Sequence, residues 1–364
     1  MSEWNQKLEY ETVLVLQGGG SLGAYECGVY KTLHKHKIKF DIVAGTSIGA
    51  INASIIACSK NDEPAKDLED FWLTLAETVT PSFLPDQMRA FSSSMYSAMY
   101  GNQKAFEPIW FTPNLFQLFN YPYLYDILPL KNTLKEYADF TKLKNLDRPR
   151  LVVTAVDVQN GQSSIFDSKS HSIDADHVLA SAGYPFYGIP WTKIDGRYLW
   201  DGTLQSNTPL TEVIDVSPKF DKRVFIVNLF PRNQEEIPKN LIEAWHRARD
   251  IMHTDKTDQT IRLSKAISNY LELLKDMHDF IMENFDDGKF DEAAKDRVKK
   301  MEPTYHKLAV NHGAIIKEMI RIDRKENAPF LFEDADFSIG TIKQLIRNGE
   351  KDAEAALAAS ASNQ

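Results

Sequence analysis

Four predominantly apolar runs set the frame of this chain. They cover residues 13–17, 40–45, 151–157 and 223–228. Val13, Leu14, Val15 and Leu16 follow one another directly, the pattern of a strand buried on both faces. Between the runs lie stretches of helical character, residues 24–33 and 51–57 among them. Strand-length runs alternating with helical segments predict an α/β fold: a mostly parallel central sheet flanked by helices on both faces. Ser163, Ser164, Ile165 and Phe166 are expected to return as a hairpin on the third run, across a turn at Gln159, Asn160 and Gly161.

The pattern changes twice. Residues 81–129 are rich in aromatic residues (Phe83, Phe91, Phe106, Trp110, Phe111, Phe116, Phe119 and Tyr121 among them) and include Met88, Met95 and Met99. Two readings of this insertion stand side by side: core filling in a helical excursion, or a lid or acyl-chain cleft. After Pro231 the chain reads as mainly helical, with long amphipathic stretches over 241–285 and 301–322 and a cap-like start at Asp336 before 342–347. Residues 353–364 are expected to fray. The organisation predicted is an α/β part over 1–232 and a mainly helical C-terminal region over 233–364.

Composition excludes more than it selects. The chain has 364 residues, 43% hydrophobic and 26% charged, ordinary values for a globular protein. A net charge of -9 argues against nucleic-acid binding and against capture by anionic membranes. Cys27 and Cys58 read as small buried hydrophobes, not as a disulfide or metal site. Residues 1–10 are polar and charged, so no signal peptide is expected, and no apolar run approaches a membrane span. A cytoplasmic location is the expectation, with specialised secretion outside what such a reading detects.

Two glycine motifs carry the chemistry. The first run ends in Gly18, Gly19, Gly20, Ser21, Leu22 and Gly23; such a loop points backbone N–H groups at an anion. Its spacing satisfies a dinucleotide fingerprint, and equally the oxyanion loop of an acyl transferase. The second run ends in Gly45, Thr46, Ser47, Ile48 and Gly49, which lifts a serine onto a strand-to-helix turn. A dinucleotide fold wants an acid closing its second strand, about 20 residues on. Asp41 opens that strand instead, and a nucleophile elbow closes it. The acyl-hydrolase reading wins.

With these motifs the chain resembles the patatin-like phospholipases. The glycine loop, the elbow and a third motif, Asp201, Gly202 and Thr203, stand in that family's order, with Ala180 to Pro185, Ile194 to Trp200 and Asn207 to Leu210 around the third. The resemblance covers about the first 230 residues; residues 336–338 and 351–353 also resemble the helical extension of a bacterial subgroup. It implies a Ser–Asp dyad without histidine: Ser47 as nucleophile and Asp201 as base. It implies an oxyanion hole from Gly18, Gly19, Gly20, Ser21 and Gly23, support of the turns by Gly45, Gly49 and Gly202, and no cofactor. From the residues alone, Asp157, Asp167 and Asp195 are equal candidates for the base; the resemblance selects Asp201. The chain departs from the family at Leu22, where Arg or Lys is frequent, and at Thr203, where a small residue is usual.

Most serine hydrolases use a histidine. His246, His253, His278, His306 and His312 follow Asp201 but lie in the helical region without a loop motif, and His171 and His177 precede it. Glu243, Asp250, Asp255 and Asp258 form no recognisable ligand spacing with them, so no metal is expected. The expected activity is hydrolysis of a lipid ester, with transient membrane-surface contact. A thioesterase, polyester depolymerase or short-chain esterase on the same dyad is the alternative within hydrolases. A non-catalytic ligand- or nucleotide-binding protein using the Gly18–Gly23 loop is the alternative of another class.

Overall fold

The computed structural model describes residues 10–111, 122–234, 237–285, 290–311, 313–325 and 332–362. Phe116, Phe119, Tyr121 and His312 lie outside the described residues, as do the side chains of Phe111 and Asp255. In chain order, β1 (Tyr10–Leu16) leads through the glycine loop to α1 (Gly23–Lys35), and β2 (Ile42–Thr46) turns at Ser47 into α2 (Ile48–Cys58). α3 (Pro64–Leu75) and α4 (Asp86–Tyr100) follow, then a short antiparallel pair, β3 (Glu107–Pro108) and β4 (Tyr125–Asp126). Next come α5 (Leu128–Tyr137), β5 (Arg150–Asp157), β6 (Ser163–Asp167) and α6 (Ala175–Ala180). β7 (Thr192–Ile194), β8 (Arg197–Asp201), α7 (Leu210–Val216) and β9 (Asp221–Asn228) complete the part that holds the motifs. The C-terminal part contributes α8 (Leu241–Glu283), α9 (Glu292–Tyr305), β10 (Ile316–Asp323) and α10 (Ile339–Ser362).

The central sheet has the order β10-β9-β1-β2-β5-β8-β7, with β6 on the far edge of β5. β10, β9, β1, β2 and β5 are mutually parallel. Alternate side chains feed two cores. Leu14 and Leu16 join the larger one with α1, α2, α3 and α10; Val13, Val15, Val224 and Ile226 join the smaller one under α7 and α8. Burial on both faces explains why these strands read as mostly apolar runs rather than as alternating ones.

One detail of strand pairing positions the site. Thr154 of β5 lies between Thr46 of β2 and Ile165 of β6, and the next residue, Ala155, lies between Asp201 of β8 and Ser164 of β6. β8 therefore occupies, in the antiparallel sense, the edge that β2 vacates when the chain turns away at Ser47. The end of β8 is thereby brought to the elbow.

Two expectations are corrected. Residues 316–323 were expected to continue a helix over 301–322, but they form β10, parallel to β9 at the sheet edge. Lys317, Glu318, Met319 and Arg321 are good helix formers, and only Ile320 and Ile322 are buried, so the alternation is faint. Residues 353–362, expected to fray, are the last turns of α10. Alanines favour the helix, and Ala353 is fully buried against the core shared with α1. The hairpin of β5 and β6 forms as expected, with Gly161 at φ 69° in its turn. The strand β10 also means that residues 1–232 and 233–364 share one sheet.

Candidate active site

Ser47 sits at the N-terminus of α2 with φ 56° and ψ −125°, a strained conformation for a residue with a Cβ. The strain is sustained by close packing beneath it. A Cβ on Gly45 would lie 2.1 Å from the Gly49 carbonyl oxygen, and one on Gly49 would lie 2.4 Å from that of Leu16. Side chains brace the same turn. The Thr46 and Thr154 hydroxyls are 2.7 Å apart, and Thr46 Oγ1 donates to the Ser206 carbonyl at 2.9 Å. The backbone N–H of Ser47 donates to Ser181 Oγ at 2.8 Å.

Ser47 Oγ donates to Asp201 Oδ2 at 2.6 Å. The other carboxylate oxygen of Asp201 accepts the N–H of Thr203 at 2.8 Å. Asp201 is only 1% exposed, and burial pushes its carboxyl up to about 6, against the opposing effect of the hydrogen bonds from Ser47 and Thr203. Among the described residues, neither Ser47 nor Asp201 has a histidine partner. Asp157 caps its own turn and Asp167 pairs with Arg150, so the two other carboxylates on β5 and β6 are committed elsewhere.

The glycine loop runs alongside. A Cβ on Gly18 would lie 2.9 Å from Ser47 Cβ, so the loop touches the elbow. Gly20 has φ 56°, and a Cβ there would lie 2.2 Å from the Asp334 carbonyl oxygen. Only glycine fits both the conformation and the gap. The N–H groups of Gly19, Gly20 and Ser21 donate to no described protein group, whereas that of Gly18 is bound by Asn207 and that of Gly23 belongs to the helix entry. The Leu22 side chain is buried, and Gly202 packs against the Thr154 carbonyl.

Several supporting residues were not singled out by sequence. Asn207 Oδ1 accepts from Gly18 N at 3.0 Å and from Thr203 Oγ1 at 3.1 Å, and its Nδ2 donates to Gly18 O at 3.2 Å. Thr203, a departure from the family pattern, thus links the Asp201 turn to the loop. Gln17 holds Leu229 N at 2.6 Å through Oε1 and Thr208 Oγ1 through Nε2. Asn207 and Thr208 stand in the stretch that resembles the family, so a signal existed, but their role did not follow from it. On the opposite side, Ser21 Oγ donates to the Glu333 carbonyl at 2.9 Å, and Tyr187 Oη donates to Asp334 Oδ2 at 2.6 Å. Nothing in the sequence links residues 333–334 to the loop.

Glu333, His246 and Asp250 approach closely enough that one ligand atom from each lies within 4.8 Å of the others. Sequence spacing had not grouped them, because Glu333 is distant in the chain. Guanidinium groups already answer their charge: Arg324 meets Glu333 at 2.7 Å, and Arg249 meets Asp250 at 3.0 Å and Asp334 at 3.2 Å.

The first helix of the insertion, α4, faces outward with its apolar residues. On α4 the buried residues are Ala90, Ser93, Ser94 and Ser97, while Met88, Phe91, Met95 and Met99 are exposed. Phe106 packs on Tyr125 and Phe337, and Trp110 on Tyr125. Tyr125 N–H donates to the Gly188 carbonyl at 3.1 Å, which ties the β3–β4 pair to the turn holding Tyr184 and Tyr187. Burial, with the Asp201 and Asp334 carboxylates nearby, pushes the Tyr184 phenol up to about 12.

Comparison with known proteins decides the family: the model of the patatin-like phospholipases matches residues 14–214. The chain belongs to the patatin-like phospholipase family. That match spans all three motifs. A cGAMP-activated phospholipase of Escherichia coli (strain TW11681) is 28% identical over 312 residues, covering 72% of this chain and 79% of that protein. The triacylglycerol lipase SDP1L of Arabidopsis thaliana is 39% identical over 64 residues, 18% of this chain and 8% of the lipase. The lysophospholipase NTE1 of Meyerozyma guilliermondii is 38% identical over 76 residues, 19% of this chain and 5% of that protein. The chain thus matches small parts of the plant and yeast relatives and most of the bacterial one. VipD from Legionella pneumophila aligns over 96% of this chain and 67% of its own, with 13% identity and a TM-score of 0.39. Among the described residues no helix is long and apolar enough to cross a membrane.

Proposed function

We propose that this patatin-like phospholipase hydrolyses lipid acyl esters with a Ser47–Asp201 dyad. The observation that carries the reading is the 2.6 Å hydrogen bond from Ser47 Oγ to Asp201 Oδ2, at a helix N-terminus and beside a glycine loop. Ser47 Oγ attacks the ester carbonyl carbon while Asp201 takes its proton. The tetrahedral oxyanion forms within reach of the N–H groups of Gly19, Gly20 and Ser21, aided by the dipole of α2. The alcohol leaves with the proton from Asp201. A water, deprotonated by Asp201, then attacks the acyl-enzyme and releases the fatty acid. A carboxyl at about 6 suits this work: ionised at neutral pH, yet a stronger base than an exposed aspartate.

The substrate's acyl chain and the lipid surface are assigned to the α4 side. Met88, Phe91, Met95 and Met99 share one exposed face of α4. That helix packs through Arg89 and Ser93 on Thr341 and Glu77, next to the segment that supports the glycine loop. An apolar stripe beside a lipid hydrolase's site offers transient contact with aggregated substrate. Short-chain ester or thioester hydrolysis uses the same dyad without that stripe. Because the E. coli relative is named as cGAMP-activated, assays should be run with and without cGAMP.

The test combines a probe with a substrate panel. A fluorophosphonate should label the protein at Ser47, and Ser47→Ala should remove labelling and lower ester turnover about 10⁴-fold at unchanged Tm. A folded Ser47→Ala protein with near wild-type turnover would overturn the assignment. Absence of both labelling and turnover across the ester panel would favour a binding role for the glycine loop instead.

A further inference from the structure

The second half of α8 presents an apolar face to solvent. Leu263, Ile267, Tyr270, Leu274, Met277 and Phe280 recur at three- and four-residue intervals, and each is between 43% and 69% exposed. This face runs about 26 Å along the helix. The buried side of the same helix is distinct: Ile261, Ser264, Ser268 and Leu271 pack inward, with Ser268 Oγ accepting from Ile316 N at 3.0 Å. Three- and four-residue spacing on a long helix is the signature of a helix-to-helix seam.

Charge beside the seam is graded. Its N-terminal end carries Arg262; its C-terminal end carries Asp276 and Glu283. In heptad terms Arg262, Asn269, Asp276 and Glu283 form one flanking row, seven residues apart. Two antiparallel copies set such rows against each other, placing Arg262 of one copy next to Glu283 of the other, and again on the symmetry-related side. A parallel pair brings like-charged ends together. The row is therefore self-complementary in one orientation only.

We propose that this face of α8 pairs with the same face of a second copy of the chain, the helices antiparallel about a two-fold axis near Tyr270 and Leu273. A lipid surface fits less well. The acidic flank would be repelled by anionic headgroups, as would a chain of net charge -9. The seam also points away from the catalytic end. Thr254 reaches the Phe230 carbonyl beyond the end of β9, whereas Lys275 reaches the Gly313 carbonyl before the start of β10. α8 thus runs from the carboxyl ends of the strands, where Ser47 lies, toward their amino ends.

Sedimentation equilibrium on the full chain from about 1 to about 100 µM tests the proposal. The wild type should reach twice the single-chain mass within that range. Tyr270→Glu with Leu274→Glu should remain single, with far-UV circular dichroism unchanged because both side chains are exposed. Arg262→Glu should raise the dimer Kd about tenfold, since the contact occurs twice. The swap Arg262→Glu with Glu283→Arg should restore it. A wild type that stays single throughout, a dimer indifferent to Tyr270→Glu with Leu274→Glu, or a swap that fails to restore affinity would each overturn the pairing. So would a single-chain wild type whose flotation with mixed phosphatidylglycerol and phosphatidylcholine vesicles depends on Tyr270 and Leu274. Mass is the readout, so failure here leaves the dyad reading untouched, and failure of the dyad leaves the seam untouched.

Discussion

The glycine loop is gripped from two sides by unlike chemistry. On one side Asn207 makes three hydrogen bonds, to Gly18 N, Gly18 O and Thr203 Oγ1, all neutral and fully buried. On the other side the Glu333–Ala335 segment meets Gly20 and Ser21 with its backbone, and is itself held by charges. Arg324 and Arg249 clamp Glu333, and Arg249 reaches Asp334 while its guanidinium lies over Phe230. The neutral side belongs to the α/β part, the charged side to the C-terminal region. A neutral amide holds its partners at any pH and salt, whereas the charged side depends on ionisation. The position of the candidate oxyanion loop thus depends partly on a region that carries none of the three motifs.

The largest effect that sharpens this contrast comes from the dyad between the two sides. Asp201→Asn should lower kcat about 10³-fold, since the amide keeps the shape and loses the base. In the wild type, kcat/KM should rise with pH through about 6 and then level, following ionisation of Asp201. Stability should move the opposite way. The folded-state value lies above the ordinary 3.8, so the ionised carboxylate is disfavoured by folding, and stability falls as pH rises from about 4 through about 6. The cost at neutral pH is on the order of 3 kcal/mol. Asp201→Asn should therefore melt a few degrees above wild type at pH 8, with the gap closing near pH 4. Equal melting temperatures across that range would mean that Asp201 is not strained by its burial.

The two sides themselves are separated by a pair of substitutions. Asn207→Ala should lower kcat about tenfold to a hundredfold at any salt, because the loop loses its hold beside Ser47. Glu333→Gln should act mainly on stability, leaving Arg324 and Arg249 short of a counter-charge in a buried setting. Glu333 is held down to about 2 by Arg324, His246 and Arg249 against the cost of burial, so its contribution is present above about 4.5 and lost as pH falls toward 2. The Tm gap between Glu333→Gln and wild type should accordingly shrink below pH 4.5. Identical kcat losses for both variants, with the same pH dependence, would remove the distinction between the two sides.

Legibility in the sequence followed the same division. Strands buried on both faces announced themselves as apolar runs, and the strand-to-helix turns carried glycines that close packing requires at Gly45, Gly49 and Gly20. Asp201 was selected by resemblance, because an Asp-Gly turn has no distinctive local pattern; its place opposite Ser47 comes from β8 filling the edge beyond β2. β10 was missed because a half-exposed edge strand, with Lys317, Glu318 and Arg321 set among Ile316, Met319, Ile320 and Ile322, lacks a clean two-residue alternation and imitates a helix. The contacts of Glu333 with Ser21 and of Asp334 with Gly20 join residues more than 300 positions apart in the chain, a separation that no local period encodes.

The smallest effect tests whether the apolar face of α4 belongs with the charged side or with the substrate. Asp334 to Ser338 lies between α4 and the glycine loop: Phe106 packs on Phe337, Arg89 donates to Thr341, and Glu77 N–H donates to the Phe337 carbonyl. Were α4 merely a buttress, its outward side chains would be indifferent to the substrate. Each buried methylene of an acyl chain contributes about 0.8 kcal/mol, and a stripe of Met and Phe that rests on aggregated lipid contributes only while the lipid is aggregated. Phe91→Ser with Met95→Ser should therefore lower kcat/KM a few-fold on micellar long-chain esters and leave a soluble short-chain ester unchanged, with Tm intact because both side chains already face solvent. An equal loss on both substrates would assign α4 to support of the loop. No loss on either would move the acyl site to Tyr184 and Phe186, on the turn beside Asp201.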